Sequence, residues 1–267
     1  MEHTLKNILK TEEILKFDAS QPLSKVLPHF TSSHDAIFVF DDERFVGVVT
    51  PYYLIKDRSL TRKSKLKGAV IMPPKLSPDT TLSEVAQAML ESKIHYLPVL
   101  NEEGEFLGIA TIGRLFNYII RNQLFNHNGR IIFTNSELVT LTGDVPVSKA
   151  LNLMANKKVA KLPIVDDHDH LIGFVSRYDL KDLVKESIAN GKNNRKGERQ
   201  SDLDEPVKNY MKKLVVTVNR IPSFTQAVEL MERNKVGSLV IVDGNNKPLD
   251  IITKSDLLKT ISSTSSL

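Results

Sequence analysis

A hydrophobic triplet with members spaced three and then four residues apart recurs four times in this chain: Leu23/Val26/Phe30, Leu82/Val85/Met89, Val147/Ala150/Met154 and Phe224/Ala227/Met231. Nine residues after each middle member stands Asp35, Ile94, Val159 or Val236, each just ahead of a strand-like run. A fixed register of this kind means one supersecondary unit copied four times. A unit of that size cannot bury both faces of its sheet alone, so the copies must pair. Adjacent pairing predicts two domains, broken near Asn126–Gly129.

The third copy displays the unit best. Val147, Ala150, Leu151 and Met154 fall on one helical face. Leu162–Val165 reads as a buried strand, with Pro163 near its start where a missing N–H is tolerated. Asp166–His170 is a polar turn, and Leu171–Val175 is the returning strand. Ser176 then opens a second helix running to about Ile188. With leading strands at Leu138–Leu141 and, in the fourth copy, Leu214–Val218, each unit is a β-α-β-β-α element of a mixed α/β fold. The expected boundaries are 1–60 (with an N-terminal helix over Leu5–Leu15), 61–125, 126–190 and 191–267. Residues 190–205 are polar and charged and predict an exposed loop leading into the fourth copy.

Composition excludes several classes of function. The absence of cysteine removes disulfides, thiolate metal sites and cysteine nucleophiles, and suits a cytoplasmic protein. No apolar run approaches the ~18 residues that cross a bilayer, and the N-terminus lacks the pattern of a secretory signal. An excess of 36 Lys+Arg over 32 Asp+Glu is mild: it favours an anionic small ligand but is far from a nucleic-acid-binding composition. The basic cluster Lys192, Arg195, Lys196 and Arg199 has no interleaved aromatics, which argues for a solvated loop. No phosphate loop, nucleophile elbow or spaced acid/base pair is present, so no catalytic residue is expected. The turn Asp166-Asp167-His168-Asp169-His170 invites a metal reading, but successive residues on a hairpin turn do not converge, and no metal is expected.

Ile94–Val99 and Val159–Ile164, each hydrophobic-x-x-Leu-Pro-Val/Ile, and Gly173–Asp179, a glycine-led run ending Ser-x-x-Asp, resemble the cystathionine-β-synthase (CBS) domain. The resemblance covers nearly the whole chain. It implies two paired CBS modules, or Bateman modules, in a flat pseudo-symmetric disc. That layout is similar to stand-alone archaeal CBS proteins and to the gamma subunit of AMP-activated protein kinase. The implied ligand is regulatory: AMP, ADP, ATP or S-adenosylmethionine, held in the cleft of a pair and reported to a protein partner or to a second copy of the chain.

The copies differ most at their ends. Two finish hydroxyl-x-x-Asp, Ser176 to Asp179 and Thr253 to Asp256, whereas two finish Thr50 to Tyr53 and Thr111 to Arg114. A carboxylate accepts both ribose hydroxyls, and a hydroxyl at a helix start with a neighbouring cation holds a phosphate. Ser176 with Arg177, and Thr253 with Lys254, fit the phosphate role; Asp179 and Asp256 fit the ribose role. The same residues also fit a helix cap, the hydroxyl as N-cap and the acid in the first turn. Thr50 and Thr111 keep that hydroxyl without the acid, so the aspartate is the mark of a ligand-competent copy.

Carried over from the family, Asp256 and Thr253 would work with Thr134, Leu138, Val139, Val159, Ala160 and Lys161, and Asp179 and Ser176 with Leu214, Val216, Val236 and Gly237. Core packing is the alternative for the apolar members, while Ala160 and Gly237 leave room for a purine. Tyr53 and Arg114 cannot accept a ribose diol, and His34 and Asp35 replace apolar residues at the base, so the first pair is expected to bind adenosine weakly or not at all. Arg114, with Thr111 and His95, could touch a phosphate or simply be solvated.

Overall fold

The computed structural model describes residues 3–54, 57, 59–125, 131–133, 138–180 and 201–264. The chain divides into two compact units, Met1–Ile132 with Ser255–Leu267, and Phe133–Lys254. The last helix of the fourth copy thus groups with unit 1.

Unit 1 holds copies one and two. Copy one contributes the sheet β1(Lys16–Asp18), β2(Ile37–Asp41) and β3(Arg44–Val49), with β1 parallel and β3 antiparallel to the central β2. Its expected helix is two 3-10 turns, Leu23–Lys25 and Leu27–His29, because Pro28 sits in the middle and cannot donate to a continuous α-helical ladder. The four-residue α1(Pro51–Leu54) follows β3. Copy two has α2(Leu82–Ser92), the hairpin β4(Tyr96–Leu100)/β5(Phe106–Thr111) and α3(Ile112–Arg121). Its leading strand is reduced to one parallel bridge, Leu76 to Val99. Helix α2 starts with a reciprocal cap: Thr81 Oγ1 accepts the Glu84 N–H, and Glu84 accepts the Thr81 N–H. Its apolar stripe, Leu82, Val85, Ala86 and Met89, is fully buried.

Unit 2 repeats the plan. Copy three has β6(Leu141–Thr142), α4(Val147–Asn156), β7(Lys161–Val165) and β8(Leu171–Ser176). After a one-turn helix α5(Ser201–Asp204), copy four has β9(Thr217–Val218), α6(Phe224–Arg233), β10(Ser238–Val242) and β11(Pro248–Thr253), and α7(Lys254–Ser262) closes the chain. Both leading strands are two residues long: β9 lies at the C-terminal end of its expected span, and β6 begins at the last residue of its own. The helix expected after Ser176 begins as a turn at Arg177–Leu180, and its remainder lies outside the described residues. So do residues 190–200 of the expected loop; its end is ordered, since Leu203 packs on the copy-three core and Glu205 accepts from Tyr210 at 3.0 Å.

The N-terminal segment is not the helix that the sequence suggests. After a 3-10 turn at Leu5–Asn7 it runs extended along the edge of β5, where Lys10 and Ile109 exchange both backbone hydrogen bonds (2.9 and 2.8 Å). Leu5 and Ile8 are buried, so the apolar spacing that imitates a helix serves a strap. Copies one and three have the same device. Ile71 bridges Val48, and Lys212 bridges Phe174, each through two reciprocal bonds. In all three copies the strap crosses a glycine. A Cβ on Gly173 would lie 2.9 Å from the Lys212 carbonyl oxygen, and one on Gly108 would strike the carbonyl of Lys10.

Copy four has Asp250 at the glycine position. Its Oδ1 accepts the Ile251 N–H at 2.7 Å, the counterpart of the N–H that meets a strap carbonyl in the other copies. The four hairpins also correct the alignment. Val39 faces Gly47, Val99 faces Gly108, Ile164 faces Gly173 and Ile241 faces Asp250, with a bulge after each. Counting back aligns Asp35 with His95, Ala160 and Gly237, one place away from the register expected from the triplets. The 3-10 turns of copy one rise further per residue than an α-helix and so reach the strand with one residue fewer.

Candidate functional site

Three of the hairpins place their terminal hydroxyl residue beside the start of the neighbouring strand. Lys161 pairs with Ser176, Ser238 with Thr253, and Tyr96 with Thr111. The next residue turns back onto the strand start: Arg177 N–H donates to the Ala160 carbonyl at 2.9 Å, Lys254 N–H to Gly237 at 3.3 Å and Ile112 N–H to His95 at 3.0 Å. In copy one this position is Pro51, which has no N–H to give. These three N–H groups are therefore committed to the fold and are not offered to an anion at the turn.

In copy three the turn aims a carboxylate. Asp179 Oδ2 accepts the Ser176 N–H at 2.9 Å and the Ser176 hydroxyl at 2.5 Å, while the Asp179 N–H donates back to the Ser176 oxygen at 3.3 Å. This is the reciprocal capping arrangement, so the cap and the oriented acid are one structure. The other oxygen, Oδ1, faces the Lys212 ammonium at 3.1 Å. Asp179 is 11% exposed and Lys212 58% exposed, so a nearly buried acid meets a solvent-facing cation. Lys212 was missed in the sequence because nothing local marks it; only the strap brings it to Asp179.

A polar line crosses unit 2 between its two hairpins. The Lys161 ammonium donates to Ser238 Oγ at 3.0 Å and lies 5.9 Å from the centre of the Phe174 ring. Cross-strand partners share a face, so Ser176, Lys161, Ser238 and Thr253 form one polar row. Space beside Gly237 adjoins this lysine: a Cβ there would be 3.4 Å from the ammonium.

The other expected ligand residues are distributed unevenly. Leu214 is 79% exposed. Leu138, Val139, Val159, Val216 and Val236 are half-buried, with Val139 and Val159 also touching the copy-three core. Ala160 and Arg177 are exposed. Thr134 lies outside the described residues. Asp256 is only 3% exposed and belongs to unit 1, whereas Thr253, Lys254 and their expected partners belong to unit 2. Asp179 and its partners all fall in unit 2.

Unit 1 has a different arrangement. Arg114 is not solvated at Nε, which donates to the Ile8 carbonyl of the strap at 2.8 Å. The Thr111 hydroxyl is an N-cap, accepting the Arg114 N–H at 3.2 Å. The expected Thr50 cap is absent: its hydroxyl is buried with no hydrogen-bond partner. Tyr53 donates to the Ser92 carbonyl at 3.3 Å. The His34 and His95 rings stack with centroids 4.3 Å apart. Asp35 accepts from the N–H and hydroxyl groups of Thr31 and Ser32. Burial, reinforced by the Asp35 charge, raises the Tyr96 hydroxyl pKa. A cavity of about 200 Å³ touches Asp35, Tyr96, Thr111 and the strap residues Lys10 and Glu13. It is smaller than the ~300 Å³ at which small-molecule sites begin.

The Asp166 turn has a structural account. Oδ1 of Asp166 accepts the N–H groups of His168 and His170, and Asp243 does the same for Asn245 and Lys247. The His170 N–H bond is the leading cause of a lowered Asp166 pKa, and the Lys247 N–H bond of a lowered Asp243 pKa. No group of three metal-ligating side chains occurs among the described residues. A larger, open cavity of about 630 Å³ lies between β9 and α6 and includes none of the expected ligand residues. No described helix is long and apolar enough to cross a membrane.

The chain matches the CBS domain four times, at residues 5–59, 70–121, 130–186 and 207–263. It is 26% identical over 212 residues to the human 5'-AMP-activated protein kinase subunit gamma-3, covering 75% of this chain and 42% of that one. An uncharacterized Methanocaldococcus jannaschii protein is 22% identical over 258 residues, covering 95% of this chain and 61% of that one. The chain thus spans less than two thirds of the length of these curated relatives. Among solved structures, a Methanocaldococcus jannaschii protein described as an archaeal homologue of the AMP-activated kinase gamma subunit superposes with a TM-score of 0.69 at 17% identity, covering 96% of this chain and 99% of that one. A conserved Pyrococcus horikoshii protein superposes at 0.59 and 19% identity, covering 97% and 99%. At these identities the likeness is one of fold.

Proposed function

Because this chain belongs to the CBS domain family through all four copies, we propose that its second unit is a non-enzymatic regulatory module that binds an adenosyl ligand. The ligand class is AMP, ADP, ATP or S-adenosylmethionine. Asp179 receives the ribose diol, and Ser176, Arg177 and Lys161 surround the phosphate or its counterpart. Leu214, Val216, Val236 and Gly237 flank the base. The observation that carries this reading is the Asp179 carboxylate: nearly buried, oriented by Ser176, and with Oδ1 opposed only by a solvent-exposed lysine among the described residues. A ligand gripping both the turn and the strap would shift the balance between two arrangements of the unit, provided that its affinity for them differs. That shift is what a partner protein would read.

Calorimetry with AMP, ADP, ATP and S-adenosylmethionine tests the proposal. At least one should bind, and Asp179→Ala should weaken it by about tenfold or more, the scale of a lost charge-assisted pair of hydrogen bonds. Failure of all four ligands to bind would sink it. A ligand-independent docking role is the second reading, favoured by the exposure of Ile221 (58%) and Leu249 (57%). A chain that stays monomeric at high concentration and co-purifies with no protein would count against that role.

A further inference from the structure

The Lys212–Asp179 pair has a counterpart that isolates its meaning. Straps cross copies two and three at equivalent places, and each puts a lysine against the hairpin: Lys10 beside Ile109, Lys212 beside Phe174. In copy two the position three residues beyond the hydroxyl is Arg114, and Lys10 turns instead to Glu13, which is 89% exposed, at 3.7 Å. In copy one the strap residue is Ile71 and the corresponding position is Tyr53, so neither charge is present. Among the described residues, only in copy three does a strap lysine meet an acid at the position three residues beyond the turn hydroxyl.

Resting on the adenosyl reading above, we infer that Lys212 is a specificity-determining residue that selects phosphate-bearing nucleotides over neutral or cationic adenosyl compounds. The reason is the hydrogen-bonding capacity of Asp179. Each carboxylate oxygen offers two lone pairs, and Oδ2 already accepts the N–H and O–H of Ser176. A ribose diol brings two donors, and they need the lone pairs of Oδ1, one of which faces Lys212. Binding therefore releases the lysine from the acid.

The released ammonium has different fates with different ligands. A neutral nucleoside leaves it in water with an ion pair lost. A 5'-phosphate gives it a new anion within reach of its four-carbon stem, beside Arg177 and Lys161. A sulfonium compound adds a positive charge among these cations. Lys212 thus opposes binding of the nucleoside moiety and favours the phosphate, which sharpens selection for the charged ligand.

The test compares AMP, adenosine and S-adenosylmethionine by calorimetry on wild type and Lys212→Met, with Lys212→Arg as the charge-retaining control. Lys212 is largely exposed, and thermal unfolding of the variant will show whether the fold is kept. The expected result is an AMP-over-adenosine affinity ratio that falls by about tenfold in Lys212→Met, the scale of a charge-assisted hydrogen bond. Adenosine itself should bind the variant as well as or better than wild type, and Lys212→Arg should keep most of the ratio. AMP binding that depends on Asp179, with a ratio unmoved by Lys212→Met, would overturn the inference and leave the adenosyl reading standing. Binding of no adenosyl compound by wild type would overturn both.

Discussion

Copies two and three run a strap over the same glycine edge and use the position three residues beyond the turn hydroxyl in opposite ways. In copy two that position is Arg114, which donates to the strap backbone at Ile8 and fastens it. In copy three it is Asp179, which accepts from the strap side chain of Lys212. A main-chain carbonyl cannot leave without moving the strap, whereas a lysine head group exchanges its partner by rotating about single bonds. The arginine makes a fixed joint; the aspartate makes an exchangeable one. The two copies therefore differ in which side of the strap contact carries the charge that can move.

The largest test of the comparison attacks what the two copies share. Gly173→Val would drive a side chain into Met211 and the Lys212 carbonyl, and should cost about 3 kcal/mol in denaturant unfolding, the upper range for overpacking. It should also abolish the Lys212–Asp179 contact. If stability is unchanged, the strap is not held as described.

A second substitution separates the copies. Arg114→Ala should loosen the strap locally by about 1–2 kcal/mol, one hydrogen bond from a charged donor. Faster hydrogen exchange at the Leu5, Lys6 and Lys10 amides would register it, since these donate to Thr80, Pro78 and Ile109. Unaltered exchange there would show that Arg114 fastens nothing.

The smallest effect concerns pH and the turns that orient the copy-three and copy-four hairpins. Asp166 and Asp243 titrate below the ordinary aspartate value of 3.8 because the folded turn donates N–H groups to them. Their contribution is present above that value and lost as pH falls through the folded pKa. Stability should thus decline on acidification below about pH 4, and the decline should be shallower in an Asp166→Asn, Asp243→Asn variant. An identical acid profile in the variant would remove these turns as a source of acid sensitivity.

Much of the architecture was legible from periodicity. The stripes of α2, α4 and α6 and the four hairpins follow from local spacing, since each buries its own apolar face. The errors fall where distant contacts override local pattern. Leu5 and Ile8 have helical spacing but are buried beneath an extended strap, and Pro28 divides a segment whose anchors alone imply a helix. The leading strands are short because only the ends of Leu138–Leu141 and Leu214–Val218 run beside a neighbouring strand. Within the candidate site, Ser176 and Asp179 could be read from the repeat endings. Lys212 could not, because its role comes from a bridge to Phe174, and no motif in Lys212-Lys213 announces it.

The aspartate that replaces a glycine in copy four has a consequence for how this molecule could grow. An unpaired strand edge is a template, and three of the four hairpins close theirs with a length of their own chain. At the fourth, among the described residues, the Asp250 carboxylate takes the Ile251 N–H instead, beside the exposed Leu249. A segment must be peeled away to reopen the first three edges. Among the described residues, the fourth edge needs only rotation of the Asp250 side chain to free the Ile251 N–H for a second extended chain.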